Sequence, residues 1–597
     1  MNKASVSPRH SWSSMARWAW LALIVLALAS RLLGLPAIPL GPGEAARAVS
    51  ALDVTRGDGW PASADSPLLL VCNVALFLLF GAGDGIARLL PALAGAALVV
   101  LPWLWRKHIG DIGALTAGIL LLVSPLNAFA ARQVHPAALG GLSAALLATL
   151  ALHVVLGQDG PAEEPLKANL HDLLVACGVG LGLVSGPAFY DLLLAGAVAW
   201  AAFGRRGTHR NVAQRWQRPS LVGLGIAMLV SIALGFRWSG WAGIADSAAA
   251  WLGGWRSGDS AHQVGLVLLY EPLLLVLLVA GIAMLVVNGR HGGSDPAALR
   301  TLRALGLWGL IAILLNTVRR GSTPESWGLV VLPLALLAGH TVEVLFREAS
   351  SRSMKQMGLH TVTAFIAWIP VLLGGAQYAR GSTGADWVFL MILGTIVVVA
   401  LQGLMIYIFS VFIPPRDAWR GAVLGLVGAV LVLQATFASG LAYTRATSPV
   451  EPAIVTAPSP DLRHLRETLH EIMVTRGQRR DSLPIVLIDQ NSEITTLVLW
   501  TLRDFGALEV TQGWPGDANV LVISPEAVAV DERVEASAWR GMRFVASTRY
   551  GAPVPACETL LPPQCSQALA WYLYRTSPYP ITPNNLILWQ ADDATGR

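Results

Sequence analysis

Charge is scarce in this chain. Of its 597 residues, 13% are Asp, Glu, Lys or Arg, about half the roughly 25% that soluble domains carry. One large water-soluble body is therefore excluded, because too few charges exist to cover its surface. Cysteine is scarcer still: there are four, with no CxxC pair and no metal-ligand spacing, which argues against a thiol-redox motif or a cysteine zinc site. No GxGxxG and no P-loop occurs, so no nucleotide cradle is written into the chain. Asp, Glu and His do not cluster at metal-ligand spacing. The net charge of +5 forms no basic stripe. Its Lys and Arg residues sit in short loops between apolar runs, where topology accounts for them, and no nucleic-acid partner is expected.

What the chain has is apolar length. Hydrophobic residues make up 54% of it and the mean hydropathy is +0.56. A helix needs about 20 mostly apolar residues to cross the hydrocarbon core. Candidate spans fall at 17–35, 67–81, 88–105, 112–130, 137–156, 171–184, 187–203, 220–236, 264–287, 304–317, 326–346, 360–377, 386–412 and 420–443. The N-terminus has the charge pattern of a signal peptide, but Arg31 and a Leu-Pro run stand where a cleavage site belongs. It reads as an uncleaved first helix.

Short-loop Lys and Arg set the orientation. The cluster Arg205, Arg206, Arg210, Arg215 and Arg218, then Arg290, Arg300 and Arg303, then Arg347, Arg352 and Lys355, then Arg416 and Arg420, all fall on one side, taken as cytoplasmic. The C-terminal domain falls on the other side of a plasma (inner) membrane. Counted from a cytoplasmic N-terminus, the first seven candidates miss the required parity. One of them must be a half-span, an interfacial helix or a misreading.

Residues 1–447 form the membrane domain, with an outer loop at 37–66 whose EAARAVSALDVTRG pattern predicts a short surface helix. A Pro-rich linker spans 448–460. From 461 to 597 strands alternate with helices: DLRHLRETLHEIMVTRG is helical, PIVLID a strand, EITTLVLWTLRDF a helix, and NVLVIS and RFVAST strands. That alternation predicts a small α/β domain with a parallel sheet. Cys557 and Cys565 lie in it and can pair in an oxidising compartment. The fold class is a polytopic α-helical membrane protein of about 13 spans with a C-terminal α/β domain.

Several segments carry a resemblance. RLLGLPAIPLGPGEAARAVSAL is followed by SPLLLVCNVALFLLFGAG, DGIARLLPALAGAALVVLPWLW and SPLNAFAARQVHP. Later come GWAGIADS, WLGGW, SGDSAHQVGLVLLYEP, LVLWTLRDFGALEV and WYLYR. In this order they resemble the GT-C superfamily of polytopic glycosyltransferases, which includes protein O-mannosyltransferases and aminoarabinose transferases. Within it the chain is most similar to the "flippase activity-associated" membrane proteins. The resemblance implies a polyprenyl-phosphate sugar donor and, in many members, a divalent metal held by loop carboxylates. It also implies an Asp-Glu pair in the first outer loop, where a carboxylate takes the acceptor's proton.

Here that pair reads Gly43-Glu44, and the family's Thr-Lys-Glu step reads Ser185-Gly186-Pro187. The family's acidic-Lys-Met-Pro-Trp segment reads RRGSTPESW. Glu44 is thus the catalytic candidate, with helix-dipole partnership as its structural alternative. His135, near a second loop carboxylate of some members, is a substrate-binding candidate or a helix-start residue. Arg319 and Arg320 are candidates for a lipid pyrophosphate, or snorkel at the interface. Glu271, ionisable inside an apolar run, is a functional candidate by position or a partner of the backbone freed by Pro272. Three readings stay open: a transferase, a silent relative that binds lipid-linked sugar, and a scaffold subunit with a membrane-protein partner. Membrane lipids are partners in all three.

Overall fold

The computed structural model describes residues 12–155, 165–203, 206–256, 265–279, 281, 296–347, 351–380, 385–489, 492–515, 519–526, 539–551, 564–577 and 579–591. The membrane domain begins with α1 (Trp12–Leu32), α2 (Pro42–Arg56), α3 (Pro67–Phe80) and α4 (Leu89–Val100). Next come α5 (Asp111–Val123), α6 (Pro125–Ala131), α7 (Ala137–Val155), α8 (Pro165–Leu183), α9 (Pro187–Phe203) and α10 (Arg206–Ser231). After α11 (Gly243–Gly253) follow α12 (Pro296–Val318), α13 (Pro324–Arg347), α14 (Ser351–Ala379), α15 (Ala385–Phe412) and α16 (Pro415–Ser439). Among the described residues, six helices are long and apolar enough to cross a bilayer, and seven if α5 and α6 count as one bent span. Of the 264–287 candidate, residues 264, 280 and 282–287 lie outside the described residues.

Helix α13 is the hub, with 83% of its apolar stretch buried, whereas α15 has 11%. Small residues permit the close approaches. Gly113 of α5 and Gly339 of α13 face each other so closely that a Cβ on Gly339 would come within 2.3 Å of the Gly113 carbonyl oxygen. Gly-mediated backbone contact is the usual substitute for a hydrophobic driving force where the surroundings are themselves apolar.

The parity problem resolves at α3. Its N-cap Ser66 donates to the Val184 carbonyl, beside the turn at Gly186, which lies against Asp65 and Pro136. Just past its other end, the Ala82 carbonyl accepts from Arg503 and Asp84 accepts from Trp500 of the C-terminal domain at 2.7 Å. Both ends of α3 therefore sit at the end of the bundle that carries the C-terminal domain, and the 67–81 segment does not cross the bundle. The exposed Leu78, Leu79 and Phe80 give it an apolar face for that position. With it removed, the count from the N-terminus to the Arg-rich α10 start is even, as the charge pattern requires.

The 112–130 candidate is one pass broken at Ser124, where α5 and α6 meet at 66°. Arg31, 1% exposed, donates to the carbonyls of Leu121 and Leu122 at the end of α5 and to Asn127. A cation thus meets the negative end of one half-helix, and Ser124 caps the positive end of the next. Backbone groups freed in a membrane interior are tolerated only when re-satisfied in this way.

Among the described residues the C-terminal domain contains α17 (Asp461–Thr475), α18 (Ser492–Thr501), α19 (Gln564–Tyr574) and six strands. These are β1 (Ala457–Pro458), β2 (Ile485–Ile488), β3 (Leu508–Thr511), β4 (Leu521–Pro525), β5 (Trp539–Arg549) and β6 (Thr582–Ala591), in the order β1-β5-β6-β4-β2-β3. The β3-β2-β4 part is parallel, as the alternation predicts. The sheet is mixed because β6 runs antiparallel to β4 and β5, and β6 was not foreseen. Leu462, Leu465 and Leu469 of α17 recur at helical spacing and are buried. Cys565 is disulfide-bonded, and Cys557 lies outside the described residues.

The two domains are joined by a buried ion cluster. Glu451 of the linker, 0% exposed, pairs with Arg445 at 2.8 Å and with Arg575 at 3.0 Å. It also accepts from the Tyr270 hydroxyl. The Arg575 guanidinium lies over the Tyr270 and Phe437 rings of the membrane domain, 5.2 Å from the Tyr270 centroid. Elsewhere α2 packs against α18, so the predicted outer-loop helix exists and carries the C-terminal domain.

Candidate functional site

A cavity of about 230 Å³ opens at the end of the bundle that carries the C-terminal domain, here called the outer end, between the first loop, the α6–α7 turn, the start of α13 and the linker. Glu44, Arg47, Arg88, Gln133, His135 and Glu325 line it. The local sequence explains why these groups converge. Pro42 starts α2 and Glu44 sits at its third position, where its carboxylate accepts from the Gly41 N–H at 2.9 Å. Pro136 and Pro324 mark the starts of α7 and α13 and place His135 and Glu325 at the rim.

Glu44 is 6% exposed and its two oxygens are crowded with donors. Arg88 reaches both oxygens, with Nε 2.8 Å from Oε1 and Nη2 2.5 Å from Oε2. The Val134 N–H donates at 2.7 Å. The Gln133 amide nitrogen, turned toward the carboxylate, donates at 3.1 and 3.0 Å. Arg88 also donates to the Leu35, Ile38 and Pro39 carbonyls, so this pair ties the first loop to α4 and to the α6–α7 turn. A carboxylate saturated in this way is poorly placed to take a substrate proton. The helix-start alternative describes its contacts better than the role of base.

Arg47 is bound to Asp65 at 2.9 Å and to the Gly43 and Val134 carbonyls. Burial alone would raise the Asp65 pKa, but Arg47 outweighs it and holds that carboxyl below its ordinary value. His135 accepts at Nδ1 from the Ala137 N–H at 3.2 Å. Burial lowers its pKa, Glu325 pulls it up, and Arg47 pushes it down again; the net direction is down, so the ring is neutral near pH 7. Glu325 is half-buried and faces Arg47 and His135. Among the described residues its carboxylate has no hydrogen-bond or ion-pair partner, which makes it the least committed acid of the cavity. Sequence reasoning noted the RRGSTPESW segment but missed Glu325. Its one signal was the acidic residue surviving in a segment that the resemblance marks as acidic.

The remaining candidates lie elsewhere. Arg319 is 2% exposed and paired with Asp191 at 2.9 Å, and Asp191 also accepts from Trp251. A buried pair of this kind offers no free guanidinium to a pyrophosphate. Arg320 is exposed beside it. Glu271 is 0% exposed and accepts from Ser124 and the Leu126 N–H at the start of α6, and from Gln434 of α16. It braces the broken helix and does not reach the cavity.

The cavity does not fit a divalent metal. No group of three or more His, Cys, Asp or Glu side chains placed to hold one occurs among the described residues. Glu44 has given its lone pairs to donors, Asp65 is held by Arg47, and two guanidinium groups line the same wall.

No family model matches the chain, and no curated protein does. Solved structures do match. Apo ArnT from Cupriavidus metallidurans aligns with a TM-score of 0.51 and 16% identity, covering 86% of this chain and 94% of that one. The same protein bound to undecaprenyl phosphate gives 0.49 at 16% identity, over 85% and 93%. The archaeal oligosaccharyltransferase AglB from Archaeoglobus fulgidus, with an inhibitory peptide and a dolichol-phosphate, gives 0.43 at 12%, over 86% and 70%. The fold is that of the GT-C membrane glycosyltransferases, as the sequence resemblance implies.

Proposed function

We propose that this chain handles a polyprenyl-phosphate-linked sugar, with the sugar end entering the 230 Å³ outer cavity. The observation that supports this most is the convergence of His135, Glu325 and the Glu44–Arg88 pair on one cavity at the outer end of a GT-C fold. ArnT, whose apo form has this fold, has also been solved with undecaprenyl phosphate. The membrane is the plasma membrane and the C-terminal domain is extracytoplasmic. Basic residues at the opposite end of the bundle and the disulfide at Cys565 support that orientation.

In this reading Glu44 is a positioning residue and Glu325 is the base. As the acceptor oxygen bonds to the sugar's anomeric carbon, the bond from that carbon to the phosphate breaks. The polyprenyl phosphate leaves, and the acceptor proton passes to Glu325. His135, neutral, shapes the wall opposite.

A second reading, a catalytically inactive scaffold subunit, draws on two observations. The Glu44 oxygens are fully engaged, and α15, only 11% buried, offers a broad apolar face to a membrane-protein partner. Sugar transfer assayed with polyprenyl-phosphate sugar separates the two. Turnover that Glu325→Gln abolishes supports the first. No turnover, no co-purifying lipid and a stoichiometric partner support the second.

A further inference from the structure

At the end of the bundle remote from the C-terminal domain lies a different cavity, of about 350 Å³. Trp105, Trp200, Trp216 and Trp308 contribute its walls, and Leu193 and Ala197 of α9 its lip. Its distance from the outer site follows from helix rise. Trp105 stands 17 residues beyond Arg88 and Trp200 stands 13 beyond Pro187, which at about 1.5 Å per residue places both roughly 20–25 Å away. The lining is apolar almost throughout. Trp105 spends its indole N–H on Thr149 and Trp308 spends its own on the Leu192 carbonyl. Leu193 and Ala197 are exposed, so the cavity opens sideways onto the lipid-facing surface.

Its surroundings are cationic. Arg106 and Lys107 follow Trp105, Arg215 and Arg218 flank Trp216, and Arg303 precedes the lining residue Ala304. Arg106, Lys107, Arg218 and Arg303 are exposed. Asp111 and Asp172 also stand at this end. The Trp216 indole N–H, buried, has no partner among the described residues. An apolar slot opening on lipid, beside basic side chains and a spare N–H donor, is complementary to one kind of molecule.

We infer that this cavity takes one acyl chain of an anionic phospholipid from the leaflet opposite the C-terminal domain, with the headgroup phosphate among Arg218, Arg303 and Lys107. The inference is independent of the outer cavity. Each basic residue near a membrane surface favours an anionic lipid roughly fivefold. A Cβ on Gly196 comes no nearer than 3.6 Å to Trp308, so a side chain there fills the slot from within, while one at Ala197 blocks its mouth from the exposed side.

The test uses the full chain in nanodiscs of phosphatidylglycerol and phosphatidylcholine, with retained lipid read by native mass spectrometry. Wild type is expected to keep phosphatidylglycerol at least about 25-fold over phosphatidylcholine. Gly196→Leu and Ala197→Phe are expected to lose it with elution profile and thermal transition unchanged. Arg218→Gln with Arg303→Gln is expected to cut the preference by a factor on the order of 25. Equal retention of both lipids by wild type, or an undiminished lipid complement in Ala197→Phe, would overturn the inference.

Discussion

Replacing Glu44 by Gln tests the distinction between a base and a brace. The substitution keeps shape and removes charge. One oxygen becomes an NH2, which must face either Arg88 and the Gly41 N–H or Arg88 and the Val134 N–H, donors against donors in both orientations. Arg88 is 1% exposed and loses the one carboxylate it meets among the described residues. Breaking a buried pair from one side costs about 3–5 kcal/mol, and the carbonyls that Arg88 keeps at Leu35, Ile38 and Pro39 offset part of that. The expected loss is about 3 kcal/mol for Glu44→Gln and as much or more for Arg88→Met. In the double variant, the coupling between the two should recover at least about 1 kcal/mol, as for groups in direct contact. Apparent stability in mild detergent, followed by tryptophan fluorescence, measures all three. A Glu44→Gln protein within about 0.5 kcal/mol of wild type would refute the reasoning and return Glu44 to the role of base.

Other expectations follow from the same geometry. Because burial lowers the His135 pKa, the unfolded chain binds a proton there first as pH falls. Stability at this site is therefore full above the ordinary value near 6.5 and is lost on acidification toward the folded value. His135→Gln should flatten that part of a stability-against-pH curve, and an unchanged curve would count against the assignment. Arg319→Leu strands the buried Asp191 and should cost about 3–5 kcal/mol, with recovery in the Asp191→Leu double variant; thermal unfolding reads both. Arg575→Ala leaves Glu451 with Arg445 alone among its cations and should raise hydrogen exchange in residues 461–489 relative to the membrane helices. Equal protection in variant and wild type would show that the ion cluster is not what fastens the domain.

Much of this architecture was legible in the sequence because lipid simplifies the code. Apolar runs mark helices, and Lys and Arg mark one side, which was enough to show that one early span had to be false. Which one was false could not be read. The α3 sequence LLLVCNVALFLLF is apolar but for Asn73, and only its end contacts, Val184 at one end and Trp500 at the other, place it on the surface. The break at Ser124 was hidden for a similar reason, since Arg31 and Glu271 that hold it lie 93 residues before and 147 after. Strand β6, LILWQ between turn residues, competes with a closing tail in any local reading, and its antiparallel pairing with β4 and β5 is a long-range choice.

The site was legible in part. Glu44 and His135, both singled out by sequence, share a cavity. Their roles depend on partners that spacing does not reveal: Arg88 saturates Glu44, as Asp191 holds Arg319. Glu325 was overlooked because a carboxylate in the first turn of a helix is ordinarily a dipole partner.

The central claim is that a lipid-linked sugar is handled at the outer cavity with Glu325, not Glu44, as its base. The most direct measurement is co-purification in mild detergent with mass spectrometry of bound lipids, on wild type, Glu325→Gln and Glu44→Gln in parallel. The account predicts polyprenyl-phosphate sugar on wild type, its accumulation on a stably folded Glu325→Gln protein, and reduced binding with reduced stability in Glu44→Gln. Polyprenyl-phosphate sugar absent from all three, or accumulating on Glu44→Gln and not on Glu325→Gln, would contradict it.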